Sequence, residues 1–235
     1  MLKYELAEKK KKLPAAEGRN CVMDTNFEDL RSWKNPKARV KIMKGHFVTT
    51  HSHVNTYIDL STMKSRCNNA RETAKVMAEP YLASTEIDTI VCLDGMEVVG
   101  TFIADILSRP GTVSINTGKN ISVVTPETDR AGQMIFRDNT KRMIDGQRIL
   151  IVAGLITTGK TMMQSIESVL YYGGIVNGIC AAFSLVSKVA GMDINAVFTQ
   201  KEVLGYEKYS DGDCPMCAAG KKVDAFVNSY GYSAL

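Results

Sequence analysis

The stretch from Gly146 to Gly174 leaves this chain the fewest choices. Arg148 to Val152 is a short apolar run rich in β-branched residues, the composition of a strand buried in a parallel sheet. A loop from Ala153 to Gly159 follows. Behind it Met162, Met163, Ile166, Val169 and Leu170 recur at spacings of three and four, which lines them along one face of a helix. Gly173 and Gly174 end that helix. A buried strand feeding an amphipathic helix through a tight glycine loop is half of a βαβ unit, and it commits this part of the chain to a parallel sheet.

The same loop is a candidate anion site. Backbone N–H groups at a helix start have no intrahelical partner and the helix dipole is positive there, so a phosphate is well held. Thr157, Thr158 and Thr161 add hydroxyls, Gly159 allows close backbone approach, and Lys160 adds charge. The letters Gly154-x-x-x-x-Gly159-Lys160-Thr161 also satisfy the pattern of a P-loop nucleotidase. That reading needs a later strand ending in a carboxylate to hold Mg2+. Neither Ile175–Phe183 nor Asn195–Thr199 supplies one, and the strand that does close on an acid, Ile90 to Asp94, precedes the loop.

Elsewhere the pattern repeats. Residues 44–60 predict two short strands around a polar turn, and residues 63–82 a helix ended by Pro80. Thr89 to Leu93 predicts a second buried strand, followed by the loop Asp94, Gly95, Met96, Glu97 and a helix from Thr101 to Leu107. Thr112–Asn116 and Asn120–Val124 read as strands, and 125–140 as a long mobile loop or β-arm. Ile175–Phe183 and Asn195–Thr199 complete the strands. Such alternation, in units of about thirty residues, predicts a parallel α/β sheet with ligands at the carboxyl ends of its strands.

An apolar fraction of 45% and a charged fraction of 23% are those of an ordinary soluble globular chain. The net charge of +4 is modest and the lysines concentrate in the run Lys9 to Lys12, with no basic stripe for nucleic acid. No apolar run is long enough to cross a bilayer. Six scattered cysteines without a leader point to a reducing cytoplasm.

Taken in order, Gly45-His-Phe-Val near Tyr57-Ile-Asp59, the strand and loop at 90–100, the polar arm at 125–140, Ile156-Thr-Thr-Gly159 and Cys214-Pro-x-Cys217-x-x-Gly220 resemble the orotate branch of the type I phosphoribosyltransferases. The resemblance spans residues 42–220. It implies an α/β fold, a parallel sheet flanked by helices under a small N-terminal hood. The implied division is an arm and hood over 1–60, a core over 61–210 and a tail over 211–235. It also implies a homodimer. Thr157, Thr158, Gly159, Lys160 and Thr161 would cradle the 5-phosphate of a ribose, loop 94–97 would face pyrophosphate, and His53 and Tyr57 would belong to the nucleobase hood.

Three departures follow from the same placement. The family carries two adjacent acids before the Thr-Thr-Gly loop, and here they are Ala153 and Gly154. Losing both removes charge-assisted hydrogen bonds to the ribose worth about 1.5–3 kcal/mol each. The arm lacks the family's Arg-Lys pair and further lysine, which leaves Arg130 as the candidate catalytic cation; Ser52 stands where a lysine is usual. The expectation is a protein that binds a ribose 5-phosphate-containing small molecule with transferase activity weakened, altered or lost. The competing expectation is a working orotate-type transferase using phosphoribosyl pyrophosphate (PRPP), with Asp94, Glu97 or Arg130 in the missing roles. Mg2+ belongs to the active reading alone. Ala153→Asp with Gly154→Asp should improve PRPP binding if the placement holds.

Cys214 and Cys217 have the spacing of zinc ligands, yet one such pair is half of a tetrahedral site. Completing it would take Cys21 or the tail of a second chain, so a turn with free thiols is the plainer reading. His51 and His53 share a strand face, but no acid or cysteine lies near them in sequence.

Overall fold

In a computed structural model that describes residues 27–50, 52–111, 113–129, 133–210 and 212–235, the described residues form two six-stranded sheets and a two-stranded arm. The N-terminal run of lysines, Cys21, His51 and Arg130 lie outside the described residues.

The chain opens with β1 (Glu28–Arg31), antiparallel to β2 (Arg39–Thr49), which turns back into β3 (Ser52–Asp59). Two helices follow, α1 (Ser61–Ser65) and α2 (Cys67–Ala78). Ala70, Ala74 and Met77 bury one face of α2, and a 3-10 turn through Pro80 ends it. Next come β4 (Thr89–Cys92), α3 (Glu97–Ser108), β5 (Ser122–Val124), the arm strands β6 (Glu127–Thr128) and β7 (Met134–Ile135), and α4 (Asp138–Lys141). The strand–turn–helix unit singled out in the sequence is β8 (Arg148–Ile156) and α5 (Lys160–Tyr171). The remainder is β9 (Ile175–Ser184), β10 (Lys188–Val189), β11 (Met192–Thr199), β12 (Lys208–Tyr209), α6 (Pro215–Ala218), β13 (Ala225–Asn228) and β14 (Gly231–Ala234).

The core sheet runs β10-β11-β9-β8-β4-β5, parallel throughout except for the edge strand β10. Its middle is covered on both faces. Along β8, Leu150 and Val152 join the cluster that holds α2 and α3, whereas Ile149, Ile151 and Ala153 join the cluster that holds Met162, Ile166 and Val169 of α5. A strand with both faces buried has no place for a polar side chain, which is why β8 reads as a continuous apolar run.

The second sheet runs β12-β3-β2-β13-β14, with β1 also on β2. It takes strands from both sides of the core in sequence. β13 joins β2 in parallel at Phe47 and Val48, and β12 pairs with β3 at His53 and Val54.

Several expected boundaries move. β8 runs on to Ile156, because Ala153, Leu155 and Ile156 keep pairing with β9, so the loop shortens to 157–159. α3 begins at Glu97 instead of Thr101. The described part of the expected strand 112–116 is a series of turns. There the buried Asn116 replaces the ladder: its Oδ1 accepts the Ile87 N–H at 2.8 Å and its Nδ2 donates to the Thr85 carbonyl at 2.8 Å. Asn195–Thr199 is not the last strand, since three more follow. In the described part of the 125–140 stretch β6 and β7 pair as a β-arm, closed by Arg137 donating to Glu127. No helix among the described residues is long and apolar enough to cross a membrane.

Tyr81 ties the helical layer to the sheet. Its ring occupies the space that a side chain on Gly178 of β9 would need. Its hydroxyl donates to the Ile179 carbonyl at 2.8 Å and accepts from Asn195 Nδ2 at 2.8 Å. Burial pushes the phenol well above its ordinary range. Tyr81→Phe strands both partners, and we expect urea denaturation to report a loss of about 1–3 kcal/mol, the cost of leaving a buried polar group unsatisfied.

Candidate functional site

The loop between β8 and α5 carries the conformation an anion site needs. Gly159 caps α5 at φ +76°, in the left-handed region, and a Cβ there would meet Val189 Cγ2 at 2.6 Å. Both its dihedral and its surroundings therefore require glycine. The turn sets Thr157, Thr158 and Thr161 around the start of α5, where the Lys160 N–H donates to Thr158 Oγ1 at 3.4 Å. Together with Ala153 and Asp94 these residues line a cavity of about 50 Å³.

That cavity opens into a cleft of about 840 Å³ between the two sheets. Thr157, Thr158, Lys160, Thr161 and Asp94 line it from the core, Ser52, Thr56 and Tyr57 from the hairpin, and Lys208, Tyr209 and Asn228 from the C-terminal strands. Lys208 donates from Nζ to Thr157 Oγ1 at 3.2 Å, so a second cation stands at the loop beside Lys160. Tyr57 is buried against Phe27 and Tyr232, edge to face, and burial pushes its phenol far above its usual range. Asp94 is the one carboxylate in the lining.

Loop 94–97 is a tight reversal, with Asp94 at φ +56° and Gly95 at φ +77°. Its residues face different ways. Asp94 reaches the cleft, Met96 is fully buried in the core, and Glu97, in the first turn of α3, accepts from Thr125 Oγ1 at 3.0 Å. Lys64 of α1 packs over the loop: a Cβ on Gly95 would lie 3.7 Å from its Cδ. Its ammonium donates to the Ser229 carbonyl at 2.7 Å. Desolvation lowers its pKa, opposed by the charges of Asp94, Glu97 and Asp59. No motif in the sequence marks Lys64 or Lys208; each enters the region through the packing of a distant element.

Ala153 and Gly154, the positions where acids were expected, face opposite sides of the sheet. Ala153 is 2% exposed and packs toward α5. Gly154 faces the hairpin side, and Asp94 fills the room beside it: a Cβ on Gly154 would lie 3.1 Å from Asp94 Cβ and 3.2 Å from Leu60 Cδ1. The Gly154 N–H donates to Asp94 Oδ2 at 3.2 Å. A carboxylate from the neighbouring strand's end thus occupies the place a side chain at 154 would take.

His53 is not in the cleft lining. Its Nδ1 sits 2.8 Å from His46 Nε2 and 3.4 Å from Cys217 Sγ, and Cys214 Sγ lies 3.6 Å from the same His46 Nε2. The structure therefore brings together two pairs that are widely separated in sequence, and His46 is a member that sequence reasoning missed.

Comparison with known proteins agrees with this architecture. The chain is 27% identical over 188 residues to an orotate phosphoribosyltransferase of Chlorobium phaeobacteroides, covering 78% of this chain and 88% of that one. It is 27% identical over 205 residues to the orotate phosphoribosyltransferase of Chlorobaculum parvum, covering 86% and 95%. Its structure superposes on Leishmania donovani UMP synthase with a TM-score of 0.50 at 18% identity, over 69% of this chain and 34% of the larger one. The fold is that of the type I phosphoribosyltransferases. No protein-family model matches the chain. Within this fold the sequence resemblance is to the orotate enzymes, and the loop at 157–159 lies at the carboxyl end of β8.

The packing of Gly154 attaches a stability cost to an acid at that position. Gly154→Asp would push a second carboxylate against Asp94 and Leu60, and we expect it to destabilise the chain by about 1–3 kcal/mol, the usual cost of overpacking. Adding Asp94→Gly should recover most of that loss in a double-mutant cycle followed by urea denaturation; additive losses would mean the two positions do not share the space.

Proposed function

We propose that the cleft binds a 5-phosphorylated ribose and that phosphoribosyl transfer runs slowly or not at all. The observation that carries the binding reading is the left-handed Gly159 opening α5 beneath a cleft flanked by Lys160 and Lys208. A phosphate dianion there meets the N-terminal N–H groups of α5, three threonine hydroxyls and two cations at once. The ribose would extend toward Asp94 and Tyr57. If the donor carries pyrophosphate, Asp94 with the phosphate oxygens suits Mg2+, which usually takes one or two protein carboxylates and keeps several waters.

The rate reading rests on charge. Departure of pyrophosphate leaves a positively charged ribose, and both charges need groups already in place. Asp94 stands alone on the ribose side of the cleft lining. On the leaving-group side Lys64 packs over loop 94–97 with its ammonium committed to Ser229. A second reading, a working orotate-type transferase, draws on one specific observation: Asp94 already occupies the space beside Gly154.

Thermal shift and calorimetry test the binding. Ribose 5-phosphate and PRPP should raise the melting temperature. Lys160→Ala and Lys208→Ala should each weaken ribose 5-phosphate by about 10-fold or more, as expected for a charged hydrogen-bond partner, with the unliganded melting temperature unchanged. Stabilisation by ATP but not by ribose phosphates would favour a nucleotidase instead. With PRPP, Mg2+ and orotate, we expect turnover well below about one per second; that rate or faster, ordinary for an enzyme, establishes the second reading.

A further inference from the structure

The group at the back of the hairpin consists of His46, His53, Cys214 and Cys217, each offering one donor atom, all within 4.8 Å of one another. We propose that these four side chains bind a structural zinc ion. The site lies outside the cleft lining and owes nothing to the ribose-phosphate reading.

The donor set and spacing are those of a closed zinc site. Two imidazoles and two thiolates match the Cys2His2 composition, and with Zn–N of about 2.0–2.1 Å and Zn–S of about 2.3 Å the donors of a tetrahedron stand about 3.3–3.8 Å apart. Cys214 Sγ and Cys217 Sγ lie 3.6 Å from His46 Nε2, and Cys217 Sγ lies 3.4 Å from His53 Nδ1. The two imidazole nitrogens, at 2.8 Å, are closer than that, so an entering ion would spread them by a few tenths of an ångström.

The surroundings orient the donors. His46 Nδ1 lies 2.9 Å from the Lys221 carbonyl oxygen, which can only accept, so Nδ1 carries the proton and Nε2 turns its lone pair on the cluster. His46 sits at a bulge in β2, where the register against β3 shifts between Lys44 and Phe47. Asp224 holds that bulge: its Oδ2 accepts the His46 N–H at 2.7 Å, and its own N–H donates to the His46 carbonyl at 2.8 Å. A Cβ on Gly45 would meet Phe47 and Asp224 Oδ2 at 2.6 and 2.7 Å, so the bulge needs glycine beside the ligand. On the other side, Cys214 caps α6 and Cys217 lies one turn on, which points both sulfurs the same way.

Four protein donors leave no position for water or substrate, so the ion's role is structural. It would fasten the segment between β12 and β13 to the β2–β3 hairpin. β12 places Lys208 at the phosphate loop, and β13 with the turn after it supplies Asn228 and Ser229 to the cleft. The metal thereby supports one wall of the cleft from behind.

Elemental analysis of the full chain, purified under reducing conditions without added metal, should find close to one zinc per chain. Cobalt exchanged into the same protein should show the d–d bands of a tetrahedral ion with thiolate charge transfer. Cys217→Ser, at an exposed ligand, and His53→Ala should each cut bound zinc to a small fraction of stoichiometry, and Cys67→Ser, an exposed cysteine elsewhere, should not. A chain that takes up neither zinc nor cobalt overturns the proposal. So does a Cys214–Cys217 disulfide in the reduced preparation, or full zinc content in both ligand variants. Because these readouts concern metal alone, they stand whether or not ribose 5-phosphate binds.

Discussion

Burial of β8 on both faces is the constraint on which the rest of the structure depends. With α2 and α3 on one side and α5 on the other, every side chain from Ile149 to Val152 is excluded from water. Such a strand can present polar groups only where it ends. Chemistry is therefore confined to its carboxyl end, where the chain leaves the sheet through Thr157, Thr158 and Gly159 and where the neighbouring parallel strand β4 delivers Asp94. The cleft's position follows from the sheet, and its charge from which loops meet there.

The charge itself departs from what the sequence resemblance implies. Acids written into β8 are absent, yet one acid from the adjacent strand reaches over Gly154. A carboxylate held by the Gly154 N–H is oriented by that bond and has less freedom to meet other partners.

Elements with strong local patterning were legible from the sequence: β4, β8, β9 and α5 are each marked by a run or a period that one window contains. The glycine-containing turn between β8 and α5 was legible for the same reason. The hydrogen-bonded turn around Asn116 was not, because its apolar neighbours Val113 and Ile115 alternate as they would in a strand while a single buried amide overrides them. β12, β13 and β14 are short and gain their apolar surroundings from residues far away in sequence. The His/Cys cluster is the extreme case: Cys214 and His46 are 168 positions apart, and local spacing shows only a lone Cys-x-x-Cys and some histidines in a hairpin. Fold-level signals are local, but sites made where distant segments converge are visible only in three dimensions.

That convergence sets an order on the birth of the molecule. Phe47 and Val48 of β2 find their parallel partners at Ala225 and Phe226. Emerging from the ribosome N-terminus first, the hairpin must hold that edge open while the whole core sheet is made and folded, since contacts this distant in sequence form late. A chain cut short before β13 would lack the parallel partner of Phe47 and Val48 and, with it, the wall that Asn228 and Ser229 lend to the cleft.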